Sequence, residues 1–328
     1  MDIMSPDDYH QTQSKVMSCQ PLNTVFGGTR IGNRQRFTPA GCLEKFLDIL
    51  VAHGVTTIDT AQSYGNSEAT IGQVDAGQRF TIDTKWSPPW TEPAAAWATR
   101  EQIINSANES IRKLGVNQVD VFYLHRPDPL TPIAETLSAV NEVYKLGAFR
   151  RFGLSGFPAS QVEVIHDHCA KRGYAPPTVY QGSYNPLSRS KETVLFPTLR
   201  KLGMSFYAYG PSAGGFLGKT VAQIQEMSRD PTLVSATCRP YVGNPRYLDA
   251  LAKWHSIAWR EGITGAELAY RWVAYHSALS RDNGDAMIIG TSSPEQLEET
   301  LTGTEKGPLS VEACTEIHDI WAKLQLEA

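Results

Sequence analysis

Residues 119–155 read VDVFYLHRPDPLTPIAETLSAVNEVYKLGAFRRFGLS, and three signals follow one another in them. Val119 to Leu124 is a β-favouring run that ends in a polar residue, His125. Ile133 to Leu146 reads as a helix that Gly147 closes. Phe149 to Leu154 is a second β-favouring run, ending in Ser155. A strand, a crossover helix and a second strand make the unit that lays parallel strands side by side with right-handed connections.

The same grammar extends both ways along the chain. Upstream, Leu22 to Phe26 reads as a strand followed by a tight loop, Gly27 to Arg30. Thr38 can cap the next helix with Pro39 at its first position; Leu43, Phe46, Leu47, Leu50 and Val51 fall on one stripe before His53-Gly54 stops it. Val55 to Ile58 is a strand ending in Asp59, and Tyr64 sits on the loop above, before the turn at Gly65 and a short helix opened by Ser67. Phe80 to Thr84 is a strand ending in Lys85, and Trp97 to Leu114 a helix closed by Gly115. Downstream come a helix over Ala159 to Arg172, a strand over Thr178 to Tyr180 leading to Gln181, a helix over Glu192 to Leu202, and a seventh strand over Met204 to Ala208. A long connection, Gly210 to Asn244, is rich in Gly, Pro and Ser, and loops of that length are usually functional. Two helices follow, Tyr247 to Glu261 and Ala266 to His276, then an eighth strand, Ala286 to Ile289, and its helix, Pro294 to Leu301. Val311 to Leu324 has no strand after it and is expected to pack outside as an extra C-terminal helix.

Eight strands alternating with helices argue an α/β chain closed into a (β/α)8 TIM barrel. The alternative is an open doubly wound sheet, whose GxGxxG fingerprint after the first strand is missing. We expect a single barrel domain over 21–328 and a disordered arm over 1–20.

Composition narrows the function classes. With 328 residues, 41% hydrophobic, 20% charged and a net charge of -4, the chain suits a globular protein and no nucleic-acid partner, since a phosphate backbone demands a basic surface. No apolar run approaches the roughly 20 residues that span a bilayer. Five cysteines, at 19, 42, 169, 238 and 314, lack CxxC spacing, which fits reduced thiols and a cytoplasmic location. A metal site is not expected, because His166 and His168 point to different faces of a helix.

In a barrel, chemistry collects at the carboxyl ends of the strands. Asp59, Lys85, His125, Ser155 and Gln181 fall there one strand after another, with Tyr64 beside them. Taken singly, such a lysine is usually solvated and such a histidine or tyrosine a packing residue; four together are hard to obtain by chance. A phenol at its ordinary pKa of about 10 exchanges protons poorly at neutral pH, and an adjacent ammonium favours the phenolate. Lys85 is placed to do this for Tyr64, Asp59 to hold the lysine, and His125 to orient a substrate oxygen.

The motifs IDTAQSYGNSEATIG, FTIDTKW, VDVFYLHRPD, VYQGSYNPLSR, FYAYGPSAGG and IIGTSSPEQLEE resemble, in this order, those of the aldo-keto reductases, and the aflatoxin-aldehyde and succinic-semialdehyde reductase subgroup most. The resemblance implies a (β/α)8 barrel, NADPH as hydride donor, Tyr64 as proton donor, Lys85 and Asp59 as its activating partners, and His125 as orienter of the carbonyl. It implies that Ser155 and Gln181 hold the nicotinamide carboxamide and that Tyr209 stacks on its ring. Gly210, Pro211, Gly214, Gly215 and Lys219 match the loop over the pyrophosphate, and Ser292, Ser293, Gln296 and Glu299 the adenosine side; Thr29 and Asp59 complete the cofactor set. Three departures stand out. Gly156 replaces the usual Asn after Ser155, Gly210 replaces a polar residue after Tyr209, and Gln296 and Thr300 stand where many members have Arg and Asn. Lys219 or Arg239 is then the candidate partner of a 2'-phosphate.

The expected function is NADPH-dependent reduction of an aldehyde or ketone, in secondary-metabolite biosynthesis or aldehyde detoxification, by a monomer or homodimer. The alternative is a nucleotide-binding redox-sensing barrel like the potassium-channel-associated family members; retention of all four residues argues against it. Arg30, Trp86 and Trp90 are expected at the mouth, with core packing the alternative for either tryptophan.

Overall fold

The computed structural model describes residues 20–31, 42–87, 95–230, 232 and 234–326. Eight parallel strands close into a barrel in sequence order: β1 (Asn23–Gly27), β2 (Thr57–Asp59), β3 (Thr81–Trp86), β4 (Val119–Leu124), β5 (Phe149–Ser155), β6 (Pro177–Ser183), β7 (Ser205–Tyr209) and β8 (Ala286–Ile289). β1 closes the ring on β8 with Phe26 opposite Ile289. Around it run α1 (Cys42–Ala52), α2 (Ser67–Gln73), α3 (Arg100–Leu114), α4 (Ile133–Lys145), α5 (Ala159–Arg172), α6 (Leu195–Lys201), α7 (Val221–Met227), α8 (Pro245–Arg260), α9 (Gly265–His276), α10 (Pro294–Glu305) and α11 (Val311–Leu326).

Side chains alternate along each strand, so one set fills the barrel and the other meets the helices. Val25, Val121, Tyr123, Val179, Tyr207 and Ile288 pack inside, while Phe26, Phe122, Phe152 and Phe206 belong to the larger shell between strands and helices. A Cβ on Gly153 would come within 2.3 Å of the Tyr123 ring. That rung of β5 is bare because the tyrosine from β4 occupies its space.

The helix ends follow the sequence signals. Gly115 and Gly173 take left-handed conformations, at φ 66° and 63°, after α3 and α5, as glycine alone does without cost. Elsewhere the structure differs from expectation for identifiable reasons. β2 starts at Thr57 and includes Asp59. α3 begins at Arg100, because Thr99 caps it and the backbone N–H groups of Trp97 and Ala98 donate to Asp128 Oδ2, each at 2.7 Å. The connection after β7 holds a helix of its own, α7. Thr220 and Gln223 form a reciprocal capping box there, a local signal hidden by the Gly, Pro and Ser around it.

Trp86 requires a correction. One step past Lys85, it faces the other side of β3 and is 4% exposed within the shell against the helices. It packs in the core and does not line the mouth. Trp90, and the Thr38-Pro39 cap expected for α1, lie outside the described residues, as does the arm except Gln20, whose side chain accepts a bond from Arg281 at 2.9 Å. α11 packs on α8, with an Arg260–Glu316 ion pair at 2.5 Å. Among the described residues no helix is long and apolar enough to cross a membrane, and no group of three His, Cys, Asp or Glu side chains could hold a metal ion.

Candidate active site

Asp59 ends β2, Lys85 lies one step from the end of β3, and His125 follows β4 with its backbone N–H on Trp86 O at 3.0 Å. Three neighbouring strands thus deliver three side chains to one mouth. The loop carrying Tyr64 is fixed from both sides. Ser67 Oγ donates to Gly28 O at 2.9 Å, and Thr60 Oγ1 to Ser67 Oγ at 2.8 Å; Gln62 Nε2 donates to Ser106 O and Ser110 Oγ on α3, both at 2.9 Å. Gly65, at φ 60°, turns the chain into α2.

Lys85 is fully buried. Its Nζ donates to Asp59 Oδ1 at 2.7 Å, Asp59 Oδ2 at 2.6 Å and Thr60 O at 2.7 Å, which uses all three ammonium protons. Gln181 Nε2 donates to Asp59 Oδ1 at 2.8 Å and completes the carboxylate's shell. Burial opposes the charge on Lys85, but Asp59, with a smaller share from Tyr64, outweighs it and raises the lysine above its ordinary value. The ammonium is therefore permanent at physiological pH. It lies 5.1 Å from the centre of the Tyr64 ring, and its own hydrogen bonds go to Asp59 and Thr60. The His125 ring meets Tyr64 edge-on, with centroids 5.7 Å apart. Burial, then the charges of Lys85 and Arg126, lower His125 to about 3, so its imidazole is neutral.

Three side chains here were not singled out from the sequence. Ser63 Oγ is 3.4 Å from His125 Nδ1, Ser87 Oγ bonds the same nitrogen, and the two hydroxyls are 3.0 Å apart. Asp83 lies one rung below Lys85 on the same face of β3. Its Oδ1 accepts the Val121 N–H at 3.1 Å, while its Oδ2 and the Tyr123 hydroxyl have no hydrogen-bond partner among the described residues. Burial, then the charges of Asp59 and Asp120, push its carboxyl well above the usual range. The acid at its position in FTIDTKW, two residues before the lysine, was the available signal.

The residues expected to hold a dinucleotide come from β5, β6 and β7 and from the segments that follow β7 and β8. Ser155 is opposite Gln181 in register, and Tyr209 ends β7. Gly214 and Gly215 follow at φ 67° and 91°, in a turn overlain by Thr237 and Cys238: a Cβ on Gly214 would sit 2.6 Å from Cys238 N. Lys219 Nζ reaches back to Gly215 O at 3.5 Å. At the start of α10, Ser293 caps the helix through Gln296 N, and Gln296 Oε1 accepts from Ser292 N and Oγ at 2.8 and 2.9 Å. An open cleft of about 650 Å3 between α9 and α10 takes in Glu267, Glu295, Glu298, Glu299 and Lys306. Thr29 and Arg30 are exposed on the turn after β1.

The sequence model of the Aldo/keto reductase family matches residues 23–322. The chain belongs to the aldo-keto reductase family. It is 38% identical over 288 residues to an aldo-keto reductase of Pseudocercospora fijiensis, covering 85% of this chain and 97% of that one. It is 37% identical over 289 residues to the oxidoreductase sirO of Leptosphaeria maculans, covering 87% of each. It is 34% identical over 327 residues to the rat (Rattus norvegicus) aflatoxin B1 aldehyde reductase member 2, covering 94% of this chain and 87% of that one. This aldo-keto reductase is accordingly an oxidoreductase of aldehydes or ketones, of a family that generally uses NAD(P)H.

Proposed function

We propose that the protein reduces an aldehyde or ketone to its alcohol with NADPH, Tyr64 giving the proton. The observation that supports this most is the Lys85 ammonium, fully buried, bonded to Asp59 and Thr60, and 5.1 Å from the Tyr64 ring. The bound dinucleotide supplies the hydride. Tyr64 Oη delivers its proton to the substrate oxygen as negative charge develops there, and the fixed charge of Lys85 stabilises the phenolate left behind. Asp59 keeps Lys85 in place, and the neutral His125 ring donates to the same substrate oxygen. Ser155 and Gln181 are the proposed partners of the carboxamide, with Gln181 anchored on Asp59. Arg30 and His125 are the proposed substrate contacts.

For the cofactor's phosphates, the proposed contact is the glycine turn at Gly214 and Gly215, which is packed closely against Thr237 and Cys238 and lies beside Lys219 Nζ. Lys219 is the proposed cation, since its present bond to Gly215 O is long, whereas Gln296 carries no charge and is turned onto Ser292. The relative named as an aflatoxin B1 aldehyde reductase supports an aldehyde as substrate, in a proposed role of detoxification or secondary metabolism.

The test is loss of NADPH absorbance with a nitrobenzaldehyde. Tyr64→Phe should lose at least about 100-fold in kcat, the scale of a positioned proton donor, with NADPH affinity by tryptophan fluorescence within twofold of wild type. A mutant retaining more than a tenth of the turnover would remove Tyr64 from the proton donor's role.

A further inference from the structure

Side chains tie the long connection after β7 back to the end of β6. Asn185 follows β6 closely and is fully buried. Its Oδ1 accepts the Leu187 N–H at 3.0 Å, folding the loop onto itself, and its Nδ2 donates to the Tyr241 hydroxyl at 3.0 Å. The Ser188 side chain bonds the same hydroxyl, and the Ser188 N–H closes the loop on Asn185 O at 3.0 Å. Tyr241 in turn belongs to the segment that overlies the glycine turn. Its N–H donates to Cys238 O at 3.0 Å, and Cys238 N is the atom that Gly214 packs against. Its ring, 5% exposed, lies 5.4 Å from that of Phe216 and 5.0 Å from that of Tyr247, centre to centre. Phe216 is a buried member of the turn itself. Tyr241 therefore holds the turn twice, through Phe216 by its ring and through Cys238 by its backbone.

We propose that Asn185, acting through the Tyr241 hydroxyl, is the positioning residue for the Gly214–Lys219 turn and so governs how long NADPH stays bound. The inference rests on the proposed contact between that turn and the cofactor's phosphates. A phenol buried among aromatic rings keeps its place only when its hydroxyl is satisfied, and here the partners come from the loop after β6. The same strand carries Gln181, the proposed partner of the carboxamide, so one strand sets both ends of the dinucleotide relative to each other. The turn is a small unit folded on itself: the Gly215 and Leu217 N–H groups donate to Ser212 O, and the Lys219 N–H to Phe216 O. On its far side Lys219 O bonds His255 Nε2 on α8 at 2.7 Å. With Tyr241 released, the turn would keep its internal bonds and that far anchor but lose its place against the barrel. Neither Asn185 nor Tyr241 carries a charge toward the ligand. They act by holding the turn ready, so that binding does not have to order it first.

Tyr241→Phe is the reference variant, because it deletes the hydroxyl and leaves the ring on Phe216; Asn185→Ala removes the same bond from the other side. Amide hydrogen exchange of the cofactor-free, full-length protein should quicken over residues 212–219 in both variants, with β6 and α5 unchanged. Release of NADPH, followed by its fluorescence during a chase with excess NADP+, should quicken by about fivefold, the scale of one neutral hydrogen bond. KM for NADPH should rise with it, without a proportionate fall in kcat. The double variant should release NADPH no faster than the quicker single one, since both changes remove one contact. Unchanged exchange over the turn, or quickening of the strands alongside it, would overturn the latch. If exchange quickens while release does not, Lys219→Met separates the causes. Weaker NADPH binding in Lys219→Met would then overturn the role of Asn185 in holding the cofactor, whereas unaltered binding would remove the turn itself from the phosphates.

Discussion

Lys85 contacts both oxygens of Asp59, at 2.7 and 2.6 Å, with the two side chains 0% and 3% exposed. A pair so far from water is held at a large desolvation cost, and a surface pair would supply little in return. Its presence is better explained by the role proposed for this fixed charge beside Tyr64 than by stability.

Lys85→Met keeps the apolar stem and deletes the charge. Alcohol oxidation, for which Tyr64 is the proposed base, should then lose activity at neutral pH relative to wild type and recover only in alkali. Asp59 is left as a buried carboxylate without its cation, so unfolding in urea should show a loss of about 3–5 kcal/mol. Overlapping pH profiles would show that Lys85 does not act on Tyr64. In wild type the raised lysine contributes stability that is complete below the ordinary value of 10.5 and is lost only as pH climbs through the higher folded value.

Asp83 makes the opposite contribution. Its folded value lies well above 3.8, so stability is greatest below that pH and falls as pH rises toward the folded value, because only the unfolded chain releases the proton freely. Asp83→Asn keeps an oxygen for the Val121 N–H and cannot ionise. Its melting temperature should exceed that of wild type by more at pH 8 than at pH 5. A gain that is the same at both pH values, or a loss at both, would show that Asp83 is ionised in the barrel.

His53 links α1 to α10 through Nδ1 to Glu305 at 2.7 Å and Nε2 to Glu298 at 3.1 Å. Burial opposes its charged form, but the two glutamates prevail and raise it above 6.5. The contribution to stability is therefore full below pH 6.5 and disappears as pH rises through the folded value. His53→Gln should lower the melting temperature at pH 5.5 and cost markedly less at pH 8.5; a penalty that does not vary with pH would place the residue's role in packing alone.

The proposed partner of a 2'-phosphate is Lys219. Fluorescence titration should give tighter binding of NADPH than of NADH in wild type, and Lys219→Met should reduce the difference by about tenfold, as expected for one charge-assisted contact. Unaltered discrimination would move the phosphate's partner to another cation, Arg239 first.

The barrel was readable from the chain because buried parallel strands are short apolar runs, and a polar residue at the end of such a run stands out. Asp59, Lys85, His125, Ser155 and Gln181 were all found that way. Trp86 was misplaced because proximity in sequence to Lys85 says nothing of which face of the strand it occupies; counting alternation from the lysine would have turned it toward the helices. Ser63 and Ser87 were passed over for a different reason. Their meeting at His125 depends on three loops closing in space, and no spacing along one segment encodes it. Asp83 looked like one more polar residue in a strand until the barrel closed around it.

The anchors on the loop of Tyr64, Ser67 to Gly28 and Gln62 to α3, have an evolutionary consequence. They tie the loop of Tyr64, the proposed proton donor, to the turn after β1 and to α3, while the long connection after β7 takes no part in either bond. Insertions or exchanges in that connection can remodel what the mouth admits without displacing Tyr64, so a lineage built on this scaffold can diversify its substrates while inheriting one reaction.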